Sequence, residues 1–202
     1  MASLSDDLLA QLTGPALGQI SRQLGADPAQ TSTAIGAALP MLLGALGRNA
    51  SEPQGAQALL GALGRDHAGG GGIAELLGAV LGGQASPQTD GQGQLGHIFG
   101  DRLPRAEAGL GQATGLGRDQ AGRLLAILAP IVLAYLARRV FAGGTGSPDA
   151  LGQVLGQEQQ QLAERGNPGL ALLGQVLDQD GDGQFGLDDV LRLGGRLFGG
   201  GR

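Results

Sequence analysis

Cysteine and tryptophan are both missing from this chain of 202 residues, which holds one tyrosine and four phenylalanines. Without cysteine there is no disulfide, no thiolate metal site and no thiol catalysis, and no particular redox compartment is required. So few aromatic rings leave no platform on which bases can stack, and a formal net charge of -5 leaves no basic stripe for phosphates. Nucleic acid is therefore not an expected partner. The opening MASLSDDLLAQL has two Asp and no basic stretch before its apolar residues, so it does not read as a secretory signal, and a cytoplasmic location is expected. Long hydrophobic runs are lacking as well. The most apolar stretch, 124–137, is 14 residues long between Arg123 and Arg138. A membrane-spanning helix needs about 20 such residues, so this run is expected to be a core helix.

Catalytic signatures are absent too. There is no G-x-S-x-G, no H-E-x-x-H and no P-loop, and the two histidines, His67 and His97, stand thirty residues apart with no acid or nucleophile placed beside either. GQGQLG at 91–96 fits the dinucleotide pattern G-x-G-x-x-G, but it follows no strand, and in a chain with 41 glycines such matches arise by chance. No enzyme and no small-molecule substrate are expected.

What the chain does hold is glycine, leucine and alanine in helical patterns. Leu4, Leu8, Leu9 and Leu12 recur at three and four, as do Leu17, Ile20 and Leu24, and the long stretch 31–46 is apolar throughout. Asp27-Pro28, Ser147-Pro148 and Asn167-Pro168 each place a capping side chain before a proline at the first helical position, and Ser51 with Gln54 has the spacing of a capping box. With few large side chains the helices must pack closely, and glycine inside them costs about 1 kcal/mol per position relative to alanine. The expected fold is all-α and multi-helical. Its segments are a first helical half at 1–82, a Gly/Gln-rich linker at 83–96, a second half at 97–142 and C-terminal helices at 148–202.

The two halves are related. A shift of 90 residues lays QTSTAIGAALPMLLGALGR, from Gln30, over QAGRLLAILAPIVLAYLAR, from Gln120. Gln30 meets Gln120, Ile35 meets Leu125, Pro40 meets Pro130 and Arg48 meets Arg138. Two apolar helices broken by proline at the same place suggest a duplicated unit whose copies pack together, since neither can be solvated alone.

The stretch DQDGDGQFGLDD at 178–189 is where residue type and spacing together specify a chemistry. Against the calcium loop of an EF-hand, Asp178, Asp180 and Asp182 fall at positions one, three and five, and Gly183 at position six, which needs the sharp turn. Gln184 at position seven offers its backbone carbonyl, and Asp189 takes position twelve in place of the usual Glu. A carboxylate shorter by one methylene favours weaker calcium binding or a relative gain for magnesium. The loop also resembles the hands of dockerin modules, which commonly end in Asp. The metal-ligand set expected for Ca2+, with Mg2+ as competitor, is Asp178, Asp180, Asp182, Gln184 and Asp189, between helices at 170–177 and 187–198. LGRDHAGGGGIAELL at 63–77 looks like a second, eroded hand, with Gly64, Asp66 and Ala68 at positions one, three and five and Ile73 placed to pair with Phe185. With one carboxylate it is not expected to hold an ion, and His67 is expected to be a turn residue.

DDLLAQLTG, AIGAALPMLLGALGRNA, the LGRDHAGG turn and LLAILAPIVLAYLAR resemble the YidB-like bacterial domains of unknown function, family 937 of such domains, over about residues 4–141. That resemblance implies a bacterial, helical, soluble protein and supplies no catalytic residue. Together these features point to a non-enzymatic calcium-binding module that meets a protein partner or a second copy of itself. The alternative is a peripheral membrane or self-assembling structural protein that uses the proline-containing helices.

Overall fold

The computed structural model describes residues 3–67, 73–84, 86–142 and 146–164. Among these residues every regular element is helical, as expected: α1 (Leu4–Leu12), α2 (Pro15–Leu24), α3 (Pro28–Ser51), α4 (Pro53–Ala62), α5 (Ile73–Leu81), α6 (Gly91–Phe99), α7 (Leu103–Thr114), α8 (Arg118–Phe141) and α9 (Pro148–Glu164). A π-helical turn, Leu63–His67, continues α4, and a 3-10 turn, Gly100–Arg102, leads into α7.

The helix starts follow the capping chemistry. Asp27 accepts from the Ala29 N–H at 2.8 Å with Pro28 at the first helical position, and Ser147 Oγ accepts from the Ala150 N–H at 3.1 Å where Pro148 opens α9. α1 begins in a capping box: Ser3 Oγ accepts from the Asp6 N–H at 3.1 Å, and the Asp6 carboxylate accepts from the Ser3 N–H at 3.3 Å. The box expected between Ser51 and Gln54 does not form. Pro53 opens α4, which makes Glu52 the capping residue, and Ser51 closes α3 by donating its hydroxyl to the Gly47 carbonyl at 2.9 Å.

Two further expectations are corrected. The second part of the 83–96 linker is helical, because Asp90 caps the Gly93 N–H at 3.0 Å and Leu95, Ile98 and Phe99 have a core to enter. Gly64, placed at the first position of an eroded calcium loop, lies within the π-helical turn rather than opening a loop. Ala68 lies outside the described residues.

α3 and α8 lie against each other at the centre, and the other helices surround them. Ile35, Leu39, Leu42 and Leu46 of α3, with Leu125, Leu128, Val132 and Leu136 of α8, are buried in one continuous cluster. Each such side chain contributes about 1.5–3 kcal/mol relative to exposure. Pro40 and Pro130 sit inside the two helices and are buried. Proline has no N–H to give, so the carbonyls of Gly36 and Ala126 lose their helical donor; a cost of about 3 kcal/mol in each helix is offset by core burial. Both helices are long and apolar enough to cross a membrane, yet 72% of each apolar window is buried inside the protein. They are its core helices.

The 90-residue correspondence runs through the helix boundaries. α3 and α8 are each 24 residues long and start at Pro28 and Arg118; α2 and α7 end at Leu24 and Thr114. The glycines that follow, Gly25 at φ 64° and Gly115 at φ 72°, turn the chain through the same left-handed cap.

Candidate functional site

Asp178, Asp180, Asp182, Gln184 and Asp189, with Phe185 and the Asn167-Pro168 cap, lie outside the described residues. Among the described residues no three His, Asp or Glu side chains gather to hold an ion. What the structure does place is the helix that leads towards that segment. α9 packs along α3, and its apolar stripe of Leu151, Leu155 and Leu162 is buried.

On the same stripe, between Leu155 and Leu162, stands Glu158, only 3% exposed. Its Oε2 accepts from the Leu4 N–H at 2.6 Å, and its Oε1 from the Ser5 N–H at 3.1 Å and the Ser5 hydroxyl at 2.7 Å. Ser3 Oγ lies 2.9 Å from Ser5 Oγ and continues the network. Two of these donors are open first N–H groups of α1, where the helix dipole also favours a negative group. Both carboxylate oxygens accept from α1, so the arrangement is a clasp between the first and last described helices. Sequence reading passed over Glu158 because it stands in the Gln-rich run QVLGQEQQQLAE. The available signal was a carboxylate at a stripe position, four residues before Leu162 and three after Leu155.

A second polar cluster joins α1 to α8. Tyr135 donates its hydroxyl to Asp7 Oδ2 at 3.0 Å, Arg139 donates to the same oxygen at 2.8 Å, and the Arg139 guanidinium lies 5.6 Å from the Tyr135 ring centre. Of the two adjacent aspartates, Asp6 caps α1 and Asp7 ties it to α8. With side chains 49% and 32% exposed, the Arg139–Asp7 pair adds at most about 1 kcal/mol. Burial raises the Tyr135 phenol above its ordinary value of 10.0; its bond to Arg139 opposes this and Asp7 reinforces it. Arg139 is held above its own ordinary value, first by its bond to Tyr135. Because the folded state keeps the phenol proton more firmly, its contribution is complete below about pH 10 and is lost as pH rises through the folded value. Tyr135 is the only tyrosine and there is no tryptophan, so absorbance of the phenolate reads this group alone. The native midpoint is expected above that of the protein in denaturant, and Asp7→Asn is expected to lower it; a native midpoint at or below the denatured one refutes the assignment.

A cleft of about 410 Å3 opens where α2, α5, α6 and α8 meet, lined among others by Gln23, Val80, Asp90, Gly91 and Arg123. Its polar groups are largely engaged in local structure: Asp90 caps α6, and Gln23 donates to the Leu81 carbonyl at 3.1 Å. The GQGQLG glycines belong to α6 itself, and the capping Asp90 occupies the place a phosphate would take. At the ends of α3 and α6, Arg48 is lowered from its ordinary value, first by burial and then by nearby Arg102.

Residues 6–139 match a family described as a bacterial protein of unknown function (DUF937). The chain belongs to that family. The matched segment of this DUF937 protein begins in α1 and ends in α8, so it takes in both proline-containing helices, while α9 and residues 178–189 follow it. No curated protein and no solved structure matches the chain.

Proposed function

We propose that this protein is a non-enzymatic, cytoplasmic calcium-binding module in which a helical platform carries an EF-hand-like loop beyond α9. The observation that carries the reading is the spacing in DQDGDGQFGLDD. It supplies Asp178, Asp180, Asp182 and Asp189 at loop positions one, three, five and twelve, the Gln184 carbonyl at seven, and Gly183 at the turn. The ion neutralises four clustered carboxylates, orders the loop and fixes the angle of its flanking helices. α9 supports this reading by being fastened to the platform through its leucine stripe and Glu158, so that a change beyond Glu164 has a fixed base to act against. The partner is a protein surface or a second copy of the chain.

Calorimetric titration of metal-stripped protein with calcium, repeated in millimolar magnesium, tests this. One saturable site per chain is expected, with a raised Tm at saturation. Asp178→Ala is expected to abolish both, and Asp66→Ala to leave both unchanged. Absence of heat and of any Tm shift, or equal loss in the two variants, overturns the reading.

The length and apolarity of α3 and α8 favour a second reading, a peripheral membrane or self-assembling structural protein. Those helices are largely spent on the core, so this reading requires them to leave it. Flotation with liposomes in the presence of a chelator is its test.

A further inference from the structure

Four of the bonds that cross between the two halves form two pairs related by the same shift of 90 residues. Gln30 Nε2 in α3 donates to the Thr114 carbonyl at the end of α7 at 3.3 Å, and Gln120 Nε2 in α8 donates to the Leu24 carbonyl at the end of α2 at 3.0 Å. Near the far ends of the same helices, Asn49 donates to the His97 carbonyl in α6 at 3.3 Å. Its counterpart Arg139 donates at 2.8 Å to Asp7 in α1, and Asp7 is the counterpart of His97. The packing is exchanged in the same sense: α9, which follows α8, lies on α3, while the π-helical turn that follows α4 lies on α8.

An interface in which one residue meets a second, and the counterpart of the second meets the counterpart of the first, is two-fold and self-complementary. Here both partners belong to one chain, joined through residues 82–90. We propose that this surface also takes a second copy of the chain. Two chains exchange halves, so that the first half of each docks on the second half of the other. Every reciprocal bond above is kept in the exchanged dimer; only the path of 82–90 and the dependence on concentration differ. The proposal rests on the helical core alone and is independent of the calcium loop.

The absence of cysteine makes the test direct. The full-length double variant Gln30→Cys/Thr114→Cys, treated in its native state with a short bis-maleimide that spans the length of the glutamine side chain removed, is expected to cross-link within the monomer. Full-length Gln30→Cys and Thr114→Cys single variants are then unfolded together, refolded over a range of protein concentrations and treated with the same cross-linker. Expected is a cross-linked dimer of twice the 20.1 kDa chain mass, containing one chain of each variant in large excess over like-with-like dimers. Its yield rises with concentration and is the same in calcium and in chelator. A double variant that fails to cross-link overturns the interface. Single variants that stay monomeric at every concentration, or that pair at random, overturn the exchange.

Discussion

Glu158→Ala lowers the stability of the protein by about 3 kcal/mol, since it removes three bonds at once and leaves their donors buried. The Leu4 N–H, the Ser5 N–H and the Ser5 hydroxyl all lose the acceptor that now lies between 2.6 and 3.1 Å away, and Ser5 itself is 6% exposed. The first turn of α1 also loses a negative group at its positive end. Glu158→Gln separates acceptor capacity from packing: it keeps the volume but replaces one oxygen by an amide that donates towards N–H groups. It is expected to cost most of what alanine costs. Urea denaturation of the three proteins checks this. A loss below about 0.5 kcal/mol in the alanine variant, the range of ordinary surface substitutions, refutes the clasp.

Gly91→Ala is expected to cost about 2–3 kcal/mol, as overpacking of a closed contact does. Glycine is required here by proximity, because a Cβ at this position would stand 1.8 Å from the Ala126 carbonyl oxygen. That oxygen is the one Pro130 leaves without its helical donor. The Cα of Gly91 thus lies over the opening in α8, close enough for a Cα–H contact to the freed carbonyl. Gly96→Ala, on the same helix with no atom within 4 Å of the added carbon, is expected to be neutral or slightly stabilising. Thermal melts of the pair decide the matter: equal Tm values for the two variants refute the close approach.

Much of the architecture could be read from the residues alone. Asp27-Pro28 and Ser147-Pro148 marked helix starts because a capping oxygen and a proline ask for the same place. The matched prolines 40 and 130 marked two related core helices. The first turn of α6 spells GQGQ and reads as linker, a composition that only the Asp90 cap and the burial of Leu95 and Phe99 override. Ser51 misled because Pro53 competes for the same helix start. The polar contacts were hidden for another reason. Glu158 with Leu4, and Arg139 with Asp7, join residues 154 and 132 positions apart, and no local pattern encodes a partner at that distance. The proposed calcium set at 178–189 is the opposite case, a reading that rests wholly on local spacing.

The separation of Glu158 from Leu4 also sets an order of events during synthesis. At about 5–20 residues per second on the ribosome, roughly 8–30 s pass between the emergence of α1 and that of the carboxylate which completes its first turn. From the completion of α3 until then, the face of α3 that α9 covers, marked by Gly44 and Gly47 against Gln159, has no cover. The nascent first half is therefore the aggregation-sensitive stage of this protein's life, and slow passage through the codons for α9 prolongs it.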